Sequence, residues 1–223
     1  MQTKRKRFNI CILGDTNIGK TWILNSYKGY INFDNFSTVG IESFLVNKTF
    51  DNLKFKFNIF DTEGKERYNS INSTAMKISD GYFIVFAVDN KSSFIKINNY
   101  INLIDKYLNL EEKVLYLIGN KIDIKPEKRE VTKEEAEIFA KSKNFKYFEI
   151  SALTKEGINE VFDKMFNDLY EKYKMNNEKE TYENFEINKI NEKKKTNFLF
   201  EIFNKNSKKK INYKHEAGKQ NNK

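Results

Sequence analysis

The chain has 223 residues, with 40 Lys and Arg against 31 Asp and Glu, so its formal charge is +9 at pH 7. This length suits one domain with an appendage, and the excess of positive charge favours anionic partners: a nucleotide, a nucleic acid or an acidic membrane surface. A single cysteine excludes an internal disulfide framework, and no apolar stretch approaches the ~20 residues that cross a bilayer.

The chain begins with a basic arm, residues 1–7, which a short apolar run over 8–13 follows. Because the run is short and no small-residue cleavage site follows it, we do not expect a signal peptide. The run predicts a buried strand, in which Cys11 is a core residue rather than a nucleophile. We therefore expect a cytoplasmic protein.

The segment that follows the first strand reads GDTNIGKT and fits the phosphate-binding pattern G-x-x-x-x-G-K-[ST]. Its glycines let the backbone curl so that N–H groups point at phosphate oxygens, while its lysine reaches the β- and γ-phosphates and its threonine ligates Mg²⁺. The motif does not name the base. The nucleotide-binding residues that we predict here are Gly14, Asp15, Thr16, Asn17, Ile18, Gly19, Lys20, Thr21 and the adjoining Trp22.

Strand-like and helix-like patterns alternate over residues 8–174, which predicts an α/β fold with a mostly parallel sheet. Residues 82–88 and 114–118 are continuous apolar runs, as strands buried on both faces should be. Alternating apolar residues after Asp51-Asn52 predict a half-exposed strand that a hairpin turn joins to the strand before it, within 41–59. Apolar residues at helical spacing predict helices over 94–108 and 158–170.

A second motif, Asn120-Lys121-Ile122-Asp123, follows the predicted strand 114–118, at the edge of the sheet where α/β folds bind ligands. The carboxylate of Asp123 can accept two parallel hydrogen bonds from guanine N1–H and its exocyclic amine, which adenine does not offer. Asn120 can tie its loop to the phosphate loop, and the aliphatic stem of Lys121 can lie on the base.

A third motif, Ser151-Ala152-Leu153, follows a predicted strand at 146–150 and would present backbone N–H groups to guanine O6. An ordinary polar turn is the alternative for each motif alone. Three motifs in this order favour a guanine-nucleotide site. They disfavour the alternative that the phosphate loop belongs to a P-loop kinase or ATPase. The chain lacks the interleaved aromatic and basic residues of an RNA-binding module, so nucleic acid is not an expected partner.

From residue 8 to about 173, the chain resembles the small GTPases of the Ras superfamily, and the Rab branch most closely. Residues 61–68, DTEGKERY, are similar to the second switch, DTAGQERF in Rabs, and residues 38–42, TVGIE, to the first. The resemblance implies a P-loop NTPase fold: a mostly parallel six-stranded sheet with one antiparallel edge strand and helices on both faces. It also implies GTP, GDP and Mg²⁺ as ligands.

By position in the family, Thr21 and Thr38 would bind Mg²⁺, and Asp61 would reach it through water. Gly64 would donate its N–H to the γ-phosphate. Phe33 would stack near the guanine, although the segment before Thr38 is shorter than in most Rabs by a single residue, which leaves that register open.

Two residues of the second switch depart from the family. Lys65 stands where the family has the glutamine that orients the attacking water, and Glu63 stands where it has alanine. A lysine has donors only and cannot pull on a water proton, while Glu63 adds negative charge near phosphate and metal. We predict slow unaided hydrolysis, with Lys65, Gly64 and Lys20 as the catalytic candidates, and rescue by a GTPase-activating protein that supplies arginine and glutamine.

The predicted effector surface also departs from the Rab pattern. Ser43 stands where Rabs usually have an aromatic residue, Phe60 replaces the interswitch tryptophan, and Ala75-Met76 replaces an aromatic pair. Effectors that read the usual aromatic cluster should therefore bind poorly.

The tail, residues 175–223, is rich in Lys, Asn and Glu, and we predict that it is largely disordered. It ends without a cysteine for a prenyl group. An apolar island, residues 198–203, lies between two lysine triplets and could bind an anionic membrane, fold back on the domain or bind a partner.

The sequence thus predicts a GTP/GDP switch of 8–174 that recruits effectors in vesicle traffic, on the cytosolic face of an endomembrane. We expect a monomer, with an exchange factor and a GTPase-activating protein as further partners. The alternatives are an enzyme that cycles with partner help and a nucleotide-locked scaffold without turnover.

Overall fold

The computed structural model describes residues 6–29, 41–62 and 71–179. The described strands are β1 (Lys6–Leu13), β2 (Ile41–Phe50), β3 (Leu53–Thr62), β4 (Gly81–Ala87), β5 (Val114–Asn120) and β6 (Lys146–Ile150). The described α-helices are α1 (Lys20–Lys28), α2 (Ile71–Ile78), α3 (Lys91–Ile95), α4 (Ile97–Tyr107), α5 (Lys133–Ser142) and α6 (158–179). Two short 3-10 helices span Leu110–Glu112 and Pro126–Lys128.

The described strands form a six-stranded sheet in the order β2-β3-β1-β4-β5-β6. Strand β2 pairs antiparallel with β3 at one edge, and every other neighbouring pair is parallel. Parallel strands need a crossover between them, which the helices provide. The prediction of a mostly parallel sheet with one antiparallel edge strand is confirmed.

The hairpin between β2 and β3 turns at the two residues that the sequence indicated. Asp51 and Asn52 have φ angles of 46° and 62°, and Phe50 pairs with Leu53 on either side of them. Positive φ at both central positions gives a tight turn whose twist matches the strands, and Asp and Asn tolerate that conformation well.

Helices cover both faces of the sheet, as predicted. Phe83 and Phe86 point to opposite faces of β4, because they are an odd number of residues apart on one strand. Phe83 contacts Phe162 of α6, with ring centroids 5.0 Å apart. Phe86 contacts Phe94 of α3 at 4.8 Å. The core is therefore two aromatic-rich layers with β4, whose residues are all buried, between them.

The predicted helix over 94–108 is two helices that meet at Lys96. Asn90 caps α3 by accepting a hydrogen bond from the N–H of Ser93. Lys96 both ends α3 and precedes α4, and its carbonyl accepts from the N–H of Asn99 at 2.9 Å. This tighter pairing of residues three apart marks the break, which apolar spacing alone did not reveal.

The α/β domain lies within a compact unit formed by residues 1–171, and a second unit begins at Lys172. Of that second unit the structure describes residues 172–179, which are helical. They include 175–179, which we assigned to the tail, and the rest of the tail, including the island 198–203, lies outside the described residues. Among the described helices, none combines the length and the apolar character that a bilayer crossing requires.

Candidate nucleotide site

The predicted motifs meet at one edge of the sheet. Because β1, β5 and β6 run parallel, the loops that follow them lie at the same edge, and they line a cavity of about 260 Å³. Each of the three motifs contributes to this cavity. The lining residues are Asn17, Gly19, Trp22, Asn120, Lys121, Asp123, Ile124, Ala152 and Leu153.

Two glycines of the phosphate loop have no room for a side chain. Gly14 has a φ of 147°, and a Cβ there would lie 2.3 Å from the carbonyl oxygen of Val85. Gly19 has a φ of 92°, and a Cβ there would lie 2.6 Å from Nδ2 of Asn120. The loop is thus closely packed against β4 and the loop after β5, in a conformation that favours glycine.

Lys20 is a buried cation in this loop, with 5% of its surface exposed. Its Nζ donates to the carbonyl oxygen of Asp15 at 2.7 Å. Burial lowers its pKa to about 8, although Asp61 and Asp15 oppose that shift. An ammonium has three donors, and an anionic ligand would offset the desolvation that lowers this pKa. The electrostatics of the loop therefore fit a phosphate group.

Asn120 connects the phosphate loop to the loop after β6. Asn120 is 1% exposed. Its Nδ2 donates to the carbonyl oxygen of Ile18 at 2.8 Å, and its Oδ1 accepts from the N–H of Ala152 at 3.1 Å. The tie that we expected between Asn120 and the phosphate loop is present. The Asn120 side chain therefore fixes the phosphate loop and the loop after β6 relative to each other.

The carboxylate of Asp123 lies at the cavity with one oxygen already oriented. Its Oδ1 accepts a hydrogen bond from Oγ of Ser151, which in turn accepts from the N–H of Thr154 at 3.0 Å. A carboxylate has about four lone-pair sites, so this contact leaves capacity for further donors. The sequence analysis predicted only a backbone role for Ser151. The structure shows a second role, in which its hydroxyl orients the carboxylate of Asp123.

The loop after β6 narrows the candidates for guanine O6. The N–H of Ser151 donates to the carbonyl oxygen of Glu156 at 3.1 Å, so that amide is already used. The N–H of Ala152 is used as well, because it donates to Oδ1 of Asn120 at 3.1 Å. Leu153 is 57% exposed at the cavity, so of these three amides that of Leu153 remains the candidate.

Two charged contacts at the site were not predicted. Nζ of Lys121, whose φ is 73°, lies 3.3 Å from the carboxylate of Asp89. Nζ of Lys96 donates to Oδ2 of Asp15 at 2.8 Å. Asp89 is the second residue after the buried strand β4. Sheets of this kind present ligand-binding groups just after their strands, so this position could have indicated Asp89 from the sequence.

The predicted metal ligands are only partly described. Thr21 lies in the first turn of α1, and Asp61 is fully buried at the end of β3, beside Ile12 of β1 in the strand register. The remaining predicted residues of the switch segments lie outside the described residues: Phe33, Thr38, Glu63, Gly64 and Lys65.

The positions that depart from the Rab effector pattern differ in exposure. Ser43 is exposed and pairs in register with Phe60, which is half-buried and packs against the core. Ala75 and Met76 are 4% and 3% exposed. The last two are core residues, so their side chains offer little surface to a partner.

A phosphate loop after the first strand of a sheet in this order, followed by a second polar motif after β5, defines the class of P-loop nucleotide-binding proteins. The profile of the Ras family matches residues 9–171, and the chain belongs to that family. Its members bind GTP and GDP with Mg²⁺ and are GTPases.

Characterised relatives are Rab and Ypt proteins. The GTP-binding protein ypt3 of Schizosaccharomyces pombe is 30% identical over 164 residues, which cover 73% of this chain and 76% of that protein. The Ras-related protein Rab-11B of Dictyostelium discoideum is 31% identical over 162 residues, 72% and 73% of the two chains. The human Ras-related protein Rab-8B is 30% identical over 166 residues, 74% and 79% of the two chains. The chain is thus Rab-like.

Proposed function

We propose that this protein is a GTP/GDP switch that recruits effectors in membrane traffic, with residues 8–174 as the switch domain. The observation that carries the proposal is the double contact of Asn120, to Ile18 and to Ala152. It joins a phosphate-binding loop to a loop that can read a base. The names of the Rab and Ypt relatives support the trafficking role.

The nucleotide would lie across the cavity, with its phosphates at the loop 14–21 and its base at the opposite end. Asp123 would accept from guanine N1–H and the exocyclic amine, while the backbone N–H of Leu153 would donate to O6. The stem of Lys121 would cover the base, with its ammonium beside Asp89. Phe33 would lie near the base on its other side.

Mg²⁺ would be held by Thr21 and Thr38, with Asp61 acting through water, since this ion binds few protein groups and takes phosphate oxygens and water for the rest. The ion would neutralise charge on the β- and γ-phosphates. The N–H of Gly64 and Nζ of Lys20 would contact the γ-phosphate. Loss of that phosphate would release Thr38 and Gly64, which is how switches of this kind change shape.

We propose that unaided hydrolysis is slower than the ~10⁻⁴ per second typical of the class. Lys65 brings no acceptor for a water proton, and Glu63 adds repulsion near the phosphates. A GTPase-activating protein would supply the missing groups, so the protein would be an enzyme that depends on a partner. The second candidate, a nucleotide-locked scaffold, is favoured by the same two residues.

Partners other than nucleotide would be effectors, an exchange factor and a GTPase-activating protein, acting on a monomer at the cytosolic face of an endomembrane. With Ser43 in place of an aromatic residue, the effectors would be ones that do not read the usual aromatic cluster. The tail would supply a peripheral contact with an anionic membrane through residues 198–203. Flotation with phosphatidylserine vesicles, comparing the full chain with a chain that lacks 180–223, tests that contact.

The base-reading role of Asp123 has a direct test. Asp123→Asn replaces a carboxylate with an amide that can donate to the C2 carbonyl of xanthine. We expect GDP affinity to fall at least tenfold, and xanthosine diphosphate to bind the variant more tightly than GDP does. Unchanged GDP affinity would contradict the proposal.

The role of Lys65 is tested by single-turnover hydrolysis with the wild type, Lys65→Gln and Lys65→Ala. We expect the glutamine variant alone to hydrolyse faster than the wild type, since only glutamine can both donate to the water and accept from it. Equal acceleration in the alanine variant would show that lysine acts only as an obstruction. Brisk hydrolysis by the wild type would overturn the proposal of slow turnover.

A further inference from the structure

Asp15 of the phosphate loop takes part in three hydrogen bonds, two through its carboxylate and one through its backbone carbonyl. The carbonyl oxygen of Asp15 accepts from Nζ of Lys20 at 2.7 Å. Its Oδ1 accepts from the N–H of Thr16 at 2.8 Å, and its Oδ2 accepts from Nζ of Lys96 at 2.8 Å. Asp15 therefore links the backbone of the loop to a lysine 81 positions away in the chain.

Lys96 is held at the point where α3 ends and α4 begins. Phe94, two residues before Lys96, and Ile97, directly after it, are 7% and 0% exposed, so they anchor the backbone in the core. The side chain of Lys96 is 34% exposed and that of Asp15 is 13% exposed. The pair is thus partly withdrawn from water, where screening is weaker than at the surface.

A carboxylate in a phosphate-binding loop is an electrostatic problem. Burial alone would raise the pKa of Asp15, but the hydrogen bond from Lys96, with that from Thr16, holds the pKa below its ordinary value. Asp15 is therefore ionised at neutral pH, next to the place where we propose that phosphates bind. Without a counterion it would repel them and would draw on the positive charge of Lys20, with which it also interacts.

We propose that Lys96 is a positioning residue of the phosphate loop, which binds the Asp15 carboxylate so that Lys20 keeps its charge available for the nucleotide. The inference rests on the proposed function, because it assigns a residue to the same site. It predicts that the effect of Lys96 on nucleotide affinity depends on the charge of Asp15. Lys96 itself would not touch the nucleotide.

The test is a double-mutant cycle on GDP affinity, measured by calorimetry with the full chain and Mg²⁺. The variants are Lys96→Met, which keeps the length of the stem without its charge, Asp15→Asn, which still accepts from the N–H of Thr16, and the double variant. Lys96→Arg tests rescue by a second cation. Lys133→Met is the matched control, since Lys133 forms an ion pair of 3.9 Å with Glu137 on an exposed helix face.

We expect Lys96→Met to weaken GDP binding about tenfold, and Lys96→Arg and the control to change it less than about twofold. Adding Asp15→Asn to Lys96→Met should restore affinity to within about twofold of wild type. A thermal unfolding curve of each nucleotide-free variant shows whether it is folded. If Lys96→Met does not fold, Lys96→Gln replaces it in the cycle.

Two results would overturn the inference while the proposed function stands: wild-type affinity in Lys96→Met, or a double variant as weak as Lys96→Met, which would mean that Lys96 acts through packing. A wild-type protein that does not bind GDP would remove the proposed function and the inference together.

Discussion

The side-chain amide of Asn120 donates to the carbonyl oxygen of Ile18 at 2.8 Å, across 102 positions of the chain. Through this bond, the loop that ends β5 fixes the shape of the phosphate loop that ends β1. The same side chain accepts from Ala152, so three loops share one buried group. A buried polar group whose hydrogen bonds are all formed fixes one arrangement of the segments it joins, and removing it is costly.

Asn120→Ala should therefore weaken both folding and nucleotide binding. The substitution leaves the carbonyl of Ile18 and the N–H of Ala152 without their partner, and a buried unsatisfied group costs about 1–3 kcal/mol. We expect a lower free energy of unfolding in urea and at least tenfold weaker GDP binding. Asn98→Ala, on the exposed side of α4, is the control and should change neither quantity. Wild-type GDP affinity in Asn120→Ala would contradict this role.

Gly19→Ala and Gly29→Ala form a matched pair for the close approach of the phosphate loop. Both glycines have positive φ, 92° and 83°, so an alanine is strained at either position by roughly 1–2 kcal/mol. Only Gly19 faces a neighbour within reach, since a Cβ at Gly29 would meet nothing within 4 Å. We expect GDP dissociation to accelerate strongly in Gly19→Ala and to stay near wild type in Gly29→Ala. Equal rates in the two variants would mean that backbone strain, not the contact with Asn120, limits binding.

Ser151→Ala removes the donor that orients the Asp123 carboxylate. We expect GDP binding to weaken about three- to tenfold, since one hydrogen bond to a charged group contributes about 1.5–3 kcal/mol and guanine itself replaces part of it. Inosine diphosphate, which lacks the exocyclic amine, should lose less affinity than GDP. Ser142→Ala, on the exposed face of α5, is the control. An equal loss of affinity for GDP and inosine diphosphate would mean that Ser151 does not help Asp123 to recognise the exocyclic amine of guanine.

Two aspartates outside the site should give stability opposite dependences on pH. Burial alone would raise the pKa of Asp168, but hydrogen bonds from Lys146 and Tyr116 hold it below its ordinary value. Its ionised form therefore stabilises the fold at neutral pH, and this contribution is lost as pH falls through the lowered pKa. Burial raises the pKa of Asp80, although the N–H of Asn9 and the charge of Lys113 oppose the shift. Ionised Asp80 therefore lowers the free energy of unfolding. This loss is removed as pH falls and Asp80 takes up a proton.

Urea unfolding of Asp168→Asn and Asp80→Asn between pH 7 and pH 3 tests this pair. The stability advantage of the wild type over Asp168→Asn should shrink as pH falls. The stability of the wild type relative to Asp80→Asn should improve over the same range. The same trend in both variants would contradict the opposite signs of the two shifts.

Local motifs and periodic patterns were enough to predict a mostly parallel sheet, the hairpin at Asp51-Asn52 and the loops that meet at the site. The strand number and the single antiparallel edge strand were implied by the resemblance to the Ras superfamily. Asn120 and Asp123 were accessible to sequence reasoning because a short motif carries its own strand context. The bond between Asp15 and Lys96 was not, because no pattern links residues that far apart until the fold brings α3 to the phosphate loop. The break at Lys96 was hidden for a related reason, since apolar spacing continues through it.

The most direct test of the account is the identity of the nucleotide that stays with the purified wild-type protein, measured by denaturing it and separating the supernatant by ion exchange. We predict guanine nucleotide in near-equal molar ratio to protein, with GTP remaining in a substantial fraction because hydrolysis is slow. Finding GDP alone would agree with a guanine-nucleotide site but contradict slow hydrolysis. An adenine nucleotide, together with displacement by ATP but not by GTP, would contradict the central claim.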